Sequence, residues 1–403
     1  MRAFAGVDWA VEKADVCVQR PDGRVLAEHT FALEEAGIVE LCQTLVAHGV
    51  CRVAIERPDG VLVERLLAAG LTVLAIHPNQ VKAARPRFTA AGGKSDRFDA
   101  FVLAELARTD SHRFRPLAVD RDDTKALRAL TRARDELVDA RQALANQLRA
   151  QLLAFWPGAT RIFADLDSPI ALAFLERYPS PADARGLGPR RLQAFLDRNA
   201  YCGRQRPETL LARLRTAPSG RAGELETDAR RATVLGLIAA LRPIVDQIRQ
   251  LTSQIHGAVR AHPDGQIFLP LFRDKTTAIC PATLVAELGD QRARYPTSAA
   301  MIADAGHSPV AVESGKRKVA VFRRACDKRL RNAVCILADS TRHWHPWAHH
   351  IYTAARARGH DHQRAIRTLG AAWLRVLWRC WHDHQPYDPT RHGALTRQLA
   401  RAG

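Results

Sequence analysis

Apolar residues in the first third of the chain fall into short runs that indicate strands. "RAFAGVDWA", "ADVCVQ" and "RVLAEHTFAL" are three such runs, and the turn sequence "RPDG" separates the second from the third. Two further strand-like runs, "CRVAIER" and "LTVLAIHP", each follow a segment with helical spacing, "EEAGIVELCQTLVAHG" and "GVLVERLLAAG". The pattern predicts the element order βββαβαβ, followed by helices.

This element order predicts the fold class of the N-terminal domain. Three antiparallel strands followed by αβαβα is the order of the RNase H-like fold, in which helices cover a mixed sheet. We therefore predict an α/β domain of this kind over residues 1–118. A doubly wound nucleotide-binding fold is the competing interpretation, but it would open with a βαβ unit and a glycine fingerprint, whereas this chain opens with a hairpin.

The middle of the chain, residues 119–262, shows helical periodicity in two long segments. Their apolar residues recur at steps of three and four, which predicts two long helices paired as an antiparallel coiled coil, with loops and short helices inserted between them. The two series are Leu130, Ala133, Leu137, Ala140, Leu144 and Leu148, and then Val234, Leu237, Leu241, Ile244, Ile248, Leu251 and Ile255. Pro243 lies inside the second series, so we expect a kink or a fresh helix start there.

The remainder of the chain predicts an all-α, basic domain over residues 263–390 and a loose tail over 391–403. No apolar run approaches the ~18 residues that a membrane span needs, and the first residues lack the apolar stretch of a signal peptide. The eight cysteines show no C-x-x-C spacing, which favours buried thiols over zinc ligands or disulfides. We expect a cytoplasmic, nucleoid-associated protein.

The charge of the chain indicates the class of its partner. There are 60 Lys and Arg against 42 Asp and Glu, and the formal net charge is +18. Residues 315–403 alone hold 18 Lys and Arg against 5 Asp and Glu, which concentrates the excess at the C-terminal end. Such a balance predicts attraction to a polyanion, and nucleic acid is the leading candidate.

Four acidic residues form the first candidate site. Asp8 lies on the first predicted strand and Glu56 at the end of the fourth, and these two strands are neighbours in the predicted sheet. In "GGKSDRFDAFVLAEL", Asp96 and Asp99 share one face of a helix. Four converging carboxylates repel one another unless cations neutralise them, and oxygen ligands suit Mg²⁺ or Mn²⁺. Each residue alone would more often be a helix cap or a solvated group.

The same stretch raises the possibility of a nucleotide-binding loop, which its spacing excludes. "AAGGKSD" resembles half of a phosphate-binding loop, but the glycine required five residues before Gly93 is replaced by Phe88. The sequence "TRHWHPWAHH" likewise lacks the acidic or cysteine partners of a tetrahedral metal site. Neither segment predicts a cofactor site.

A serine beside a basic run forms the second candidate site. Ser314 and Gly315 directly precede a cluster of cations that would neutralise phosphates with little dependence on sequence. The cluster consists of Lys316, Arg317, Lys318, Arg323, Arg324, Lys328, Arg329 and Arg331. A serine in such surroundings could attack a phosphodiester, although a turn or cap role is the commoner use of a serine in this pattern.

Taken together, these motifs resemble the insertion sequence 110 family of transposases. The residues that carry the resemblance are "GVDWAVEKADVCV", "AIERPDG", "KSDRFDAFVLAEL", "AELGD", "AGHSPVAVESGKRK" and "PYDP". The resemblance implies a RuvC-like domain with a DEDD set, a coiled-coil region and a C-terminal transposase domain. By its motifs, Asp8, Glu56, Asp96 and Asp99 would bind metal, and Ser314 would be the nucleophile.

The resemblance also implies partners and a reaction. It implies a recombinase that excises and inserts its own element, guided by a bridge RNA and acting as a homo-oligomer, a dimer or a tetramer. The acidic site of one subunit would meet the serine of another through a phosphoserine link to DNA. Two alternatives remain open: a RuvC-like nuclease or junction resolvase without serine chemistry, and a nucleic-acid-binding regulator that has lost catalysis.

Overall fold

The computed structural model describes residues 2–89, 95–218, 220, 222–272, 278–314 and 317–402, with the backbone alone at 314, 317, 318 and 398–402. The chain forms two compact units, Met1–Arg121 and Asp122–Gly403. None of the described helices is both long enough and apolar enough to cross a bilayer. All eight cysteines lie within the described residues, and none of them forms a disulfide.

The first unit is built on a five-stranded mixed sheet in the order β3-β2-β1-β4-β5. Strand β1 runs antiparallel to β2 and parallel to β4, while β2 pairs antiparallel with β3 and β4 pairs parallel with β5. The predicted mixed sheet, with the first and fourth strands as neighbours, is therefore confirmed. The strands are β1 Ala3–Trp9, β2 Lys13–Gln19, β3 Val25–Ala32, β4 Val50–Ile55 and β5 Thr72–Ala75.

Helices cover both faces of this sheet, because alternate strand residues point to opposite faces. The helices are α1 Glu35–Ala47, α2 Val61–Ala68, α3 Pro78–Ala84 and α4 Asp96–Thr109. The odd-numbered side chains of β1, such as Ala5 and Val7, are buried in one core with residues of α1 and α2. The opposite face packs against α4, where Cys17 of β2 is buried beside Ala100 and Ala104.

The second unit begins with a pair of long helices, α5 Asp122–Phe155 and α9 Glu224–Ala261. Hydrogen bonds join them side by side: Thr124 to His262 at 2.8 Å, Arg134 to Thr252 at 2.9 Å and Arg230 to Gln151 at 3.2 Å. Residue numbers rise on one helix as they fall on the other, so the pair is antiparallel. Supercoiling of this pair stays a prediction.

Prolines lie within α9 and at the start of the short helices between the two long ones. Helix α9 continues through Pro243 without a fresh helix start, and a kink at that residue, the other expected outcome, stays a prediction. Between the long helices, the chain forms three short helices, each with a proline at its first position, where the missing N–H costs no hydrogen bond. They are α6 Pro169–Arg177, α7 Pro189–Arg198 and α8 Pro207–Arg215.

The second unit contains two hydrophobic cores. One lies where α6, α7 and α8 pack against the ends of the long helices, with Phe174 and Leu241 fully buried in it. The other gathers the opposite ends of the long helices with the C-terminal helices, and Trp373 and Trp381 are fully buried there. These C-terminal helices are α10 Gly265–Phe268, α11 Ile279–Leu288, α12 Ser298–Asp304, α13 Lys328–Thr341, α14 Pro346–Ala357 and α15 His362–His382.

Two elements differ from the mostly helical C-terminal region and loose tail that the sequence predicts. An antiparallel hairpin forms from β6 Val310–Ser314 and β7 Arg317–Val321. Residues Gly393–Ala402 form a last helix, α16, and Leu395 within it is buried in the second core. The tail is thus helical rather than loose over most of its length.

Candidate active site

Two neighbouring parallel strands each place one carboxylate on the sheet face covered by α4. Val7 of β1 pairs with Ile55 of β4, so Asp8 and Glu56, the next residue along each strand, come side by side. Both follow buried aliphatic residues and are themselves half-buried. The strand order alone therefore accounts for the proximity of these two predicted residues.

The N-terminus of α4 supplies the other two predicted carboxylates. Ser95 caps the helix, since its Oγ accepts a hydrogen bond from the Phe98 N–H at 3.2 Å. Asp96 and Asp99 follow in the first turn, where negative charge interacts favourably with the helix dipole. Asp96 is exposed, whereas Asp99 is buried.

Close approach of α4 to β1 depends on Gly6. A β-carbon at Gly6 would lie 2.1 Å from the Ala100 carbonyl oxygen and 2.3 Å from the Ala104 nitrogen, both backbone atoms of α4. A side chain of any size at this position would push the helix off the strand. Gly6 is thus the residue that lets the acidic turn of α4 reach Asp8, two residues further along β1.

The pKa of Asp8 reflects the negative charge of the other three predicted carboxylates. Burial raises the pKa of the Asp8 carboxyl from its ordinary value of 3.8 to about 6, and four neighbouring carboxylates add to the rise. In order of decreasing effect these are Asp99, Glu56, Asp96 and Asp15. The other three predicted carboxylates and a fifth, Asp15, are thus close enough to Asp8 to affect its ionisation, and a metal site shared by the quartet stays a prediction.

That fifth carboxylate, Asp15, is absent from the candidates that the sequence yields. It lies on β2 directly opposite Asp8 and is buried, with Thr30 donating to its Oδ1 at 2.6 Å and Lys13 donating to its Oδ2 at 3.0 Å. The available signal is an aspartate flanked by apolar residues inside "KADVCVQ". Recognising it requires the register of the β1–β2 hairpin, which strand-by-strand analysis leaves undetermined.

Two cationic side chains neutralise part of this negative charge. Arg85 donates to both oxygens of Asp99, from Nε to Oδ1 at 2.6 Å and from Nη2 to Oδ2 at 2.7 Å. Lys13 bridges Asp15 and Asp96, with Nζ to Oδ2 distances of 3.0 Å and 2.9 Å. These contacts raise the pKa of Lys13 above its ordinary value, the hydrogen bond to Asp96 being the largest cause.

The donor set has the chemistry of a divalent-cation site. Within the part of the chain that the structure describes, no three His, Cys, Asp or Glu side chains are arranged to hold a metal ion as they stand. The carboxylates around Asp8 nevertheless offer only oxygen donors, as Mg²⁺ and Mn²⁺ prefer. Because burial and the neighbouring carboxylates both raise the pKa of Asp8, added positive charge would be stabilising.

A cleft of about 380 Å³ opens beside these residues. It is lined by Lys13, Asp15, Thr30, Ser95, Asp96 and Arg97. Residues 90–94, which include the glycines and lysine of "AAGGKSD", lie outside the described residues. The acidic cluster is thus accessible from one side.

The second predicted site lies in the other unit, on and after the hairpin. Ser314 ends β6 and its backbone pairs with Arg317, so it belongs to a strand rather than to the turn that we expected, while Gly315 and Lys316 lie outside the described residues. Arg317 and Lys318 occupy β7, and Arg323 and Arg324 follow it. Lys328, Arg329 and Arg331 open α13, where Arg329 is 3.2 Å from Glu136.

Comparison with known proteins gives two family matches. Residues 5–157 match the model of the DEDD domain of IS110 transposases, described as "Transposase", and residues 277–353 match "Transposase IS116/IS110/IS902 family". The two matches include the acidic quartet and the serine respectively. T. thermophilus RuvC in complex with a Holliday junction substrate aligns over 29% of this chain and 100% of its own, at 17% identity and a TM-score of 0.24.

Relatives match along the full length. The "Mini-circle putative transposase for IS117" of Streptomyces coelicolor is 32% identical over 99% of both chains. An insertion element IS116 protein of 44.8 kDa from Streptomyces clavuligerus is 26% identical over 96% of both chains. The chain therefore belongs to the IS110 family of transposases and is a DNA transposase.

Proposed function

We propose that this transposase excises and inserts an insertion sequence by metal-dependent cleavage and exchange of DNA strands, with Ser314 as the nucleophile. The observation that supports the proposal most directly is the convergence of Glu56, Asp96 and Asp99 on Asp8. Nothing in the packing of a structural core calls for four carboxylates at one point, since each would be costly there without a cation.

Asp8, Glu56, Asp96 and Asp99 are the residues that we propose hold Mg²⁺ or Mn²⁺. When bound, the cation would stabilise the charge that develops on the phosphodiester during strand cleavage. The chain's own contribution is to fix the oxygens: β1 and β4 hold two of them at neighbouring strand ends, and α4 brings the others across Gly6. Lys13 and Arg85 balance the charge until a cation arrives.

Ser314 is proposed to attack a phosphodiester and exchange one phosphate ester bond for another. Its oxygen would bond to phosphorus while the bond to one sugar oxygen breaks, and that sugar oxygen would take up a proton as it leaves. The resulting phosphoserine keeps the energy of an ester bond, so a second DNA strand can be joined without a further energy source. The basic residues after β6 would hold the DNA in place.

The proposal extends to partners and to the division of the chain. We propose that residues 1–118 carry the metal chemistry, 119–262 form the connecting coiled coil, and 263–390 carry the serine. The protein is proposed to work on element ends and target DNA as a nucleoid-associated homo-oligomer, with a bridge RNA as guide. The excess of basic residues over 315–403 is compatible with both DNA and RNA.

The decisive experiment compares three proteins on one substrate. Purified wild type, Ser314→Ala and Asp8→Ala are incubated with Mg²⁺, element-end DNA and the RNA transcribed from the element's flank. We expect strand transfer from the wild type and from neither variant. Full cleavage by Ser314→Ala would instead indicate a RuvC-like nuclease, and no cleavage by the wild type would indicate a nucleic-acid-binding regulator.

A further inference from the structure

The base of the β6–β7 hairpin carries an exposed aromatic ring between two arginines. Phe322 directly follows β7 and is 44% exposed. The guanidinium carbons of Arg331, from α13, and Arg367, from α15, lie over its ring at 5.2 Å and 4.8 Å from the centroid. The end of the hairpin and two helices thus bring an aromatic face and two positive charges to one place.

The two arginines differ from several other arginines of this unit in that they lack an acidic partner among the described residues. In the described residues, neither guanidinium forms an ion pair with a carboxylate, whereas Arg329 and Arg342 in the neighbourhood each contact one. Both are half-buried, so water screens their mutual repulsion only in part. Two guanidinium groups over one aromatic ring concentrate positive charge at a place that can attract an anion.

The positive charge of the two arginines also affects the pKa of two neighbouring side chains, His307 and Cys335. Burial, with smaller contributions from Arg367 and Arg331, lowers the pKa of His307 to about 4. Both arginines also act against the burial that raises the pKa of the Cys335 thiol. His307 lies against Gly370 of α15, where a β-carbon would approach its ring to 2.4 Å, so the imidazole cannot move towards α15.

We propose that Phe322, Arg331 and Arg367 form a clamp for single-stranded nucleic acid, in which the two guanidinium groups bind a backbone phosphate and an adjoining unpaired base stacks on the cluster. A guanidinium that lies over an aromatic ring keeps its N–H edge available for phosphate oxygens. Unpaired bases stack on aromatic rings and on guanidinium planes, whereas paired bases are shielded from them.

The clamp deepens the proposed function, on which it rests for the identity of its ligand as nucleic acid. Five paired positions of β7 separate Phe322 from the end of the hairpin where Ser314 lies. A strand held at Phe322 would therefore be anchored beside the hairpin that carries the proposed nucleophile. Strand exchange requires unpaired DNA, and a site that favours single strands serves that step.

The test measures binding of fluorescent 20-nucleotide DNA and RNA single strands, and of a 20-base-pair DNA duplex, by anisotropy over a range of salt. We expect Phe322→Ala and Arg367→Gln each to weaken single-strand binding by about tenfold. Arg367→Gln should also reduce the salt slope by about 0.7, while Phe322→Ala should leave it unchanged. Equal losses of affinity for single-stranded DNA and RNA would indicate a clamp that accepts either. A loss for only one of them would identify that nucleic acid as the ligand.

Arg364→Gln is the matched control. Arg364 is an exposed residue of α15, and its substitution removes the same charge as Arg367→Gln but changes no residue of the proposed clamp. It should change binding less than twofold, and the melting temperature of every variant should match that of the wild type. If Phe322→Ala binds single strands as the wild type does, or if duplex binding falls equally, the clamp is wrong and the proposed function stands. Wild-type binding without strand transfer would overturn the proposed function alone.

Discussion

Arg85 donates two hydrogen bonds to Asp99, one to each carboxylate oxygen, and Asp99 is 3% exposed. Arginine and carboxylate in this arrangement form the strongest common type of side-chain ion pair. The negative charge of Asp99, a residue of the proposed metal site, is therefore already neutralised by Arg85. Binding of a divalent cation must therefore compete with, or add to, a contact within the protein.

The first prediction concerns that contact. Arg85→Gln leaves a buried carboxylate without its cation, and in EDTA we expect this to cost about 3 kcal/mol of stability. Added Mn²⁺ should restore a large part of the loss, so the metal-induced rise in melting temperature should be greater for the variant than for the wild type. Differential scanning calorimetry with and without Mn²⁺ measures both.

Arg87→Gln provides the control for this experiment. Arg87 lies in the same short turn, but its contact with Asp110 is 3.4 Å long and more than half of its side chain is exposed. It should alter stability by less than about 0.5 kcal/mol and leave the Mn²⁺ response unchanged. Equal metal responses in Arg85→Gln and the wild type would show that Arg85 does not compete with the cation.

The second prediction uses the raised pKa of Asp8. Its carboxyl has an ordinary pKa of 3.8 when unfolded and about 6 when folded, so ionisation costs stability as the pH rises through 6. Asp8→Asn should therefore stabilise the metal-free protein at pH 7.5, by about 1 kcal/mol after allowance for partial exposure. The difference should vanish below about pH 3, where the carboxyl is protonated in both states.

Melting curves in EDTA from about pH 3 to about pH 8 test this directly. The same variant should lose most of the stabilisation that Mn²⁺ gives the wild type at pH 7.5, because it lacks one ligand charge. A stability difference that stays constant over the whole pH range would contradict the interpretation of Asp8 as a carboxyl surrounded by like charges.

The third prediction compares substitutions of two oppositely charged residues beside the proposed metal site, Lys13 and Asp15. Lys13 contacts Asp96 and Asp15, so Lys13→Met should strengthen Mn²⁺ binding, whereas Asp15→Asn should weaken it. A single charge at this distance is worth about 1 kcal/mol, or about fivefold in affinity, in each direction. Calorimetric titration gives the constants, and Glu12→Gln, on the exposed turn before Lys13, controls for net charge. Changes of the same sign in both variants would rule out an electrostatic origin.

The fourth prediction concerns Gly6. Gly6→Ala places a methyl group in contact with the backbone of α4, and neither partner can turn aside. We expect a loss of about 3 kcal/mol or more and the absence of Mn²⁺ binding, because the helix carrying Asp96 and Asp99 is displaced. Gly236→Ala is the converse control: no atom lies within 4 Å of a β-carbon there, and the exposed middle of α9 should gain about 0.5–1 kcal/mol.

The outcome for particular residues shows what the sequence can and cannot predict. Asp8 and Glu56 could be predicted to meet because strand order sets which strands are neighbours. Arg85 could not, because its contact with Asp99 depends on how the turn after α3 folds back across α4, and no periodicity relates the two residues. Side chains joined by tertiary packing leave no spacing signal.

The β6–β7 hairpin is a different kind of omission. "VAVES" and "RKVAV" are short valine-containing runs on either side of a turn sequence with glycine, which is a recognised hairpin pattern. The density of lysine and arginine made the same stretch look like a charged surface segment. Here the signal was present, and the charge obscured it.

The two separate cores of the second unit have a consequence for how such proteins can diversify. They are joined by little more than the middle turns of α5 and α9. Lengthening both helices by seven residues would move the far core outward by about 10 Å and return it to nearly the same orientation, while leaving both ends internally unchanged. The helical pair can thus act as an adjustable spacer, with a terminal module that is replaceable as a whole.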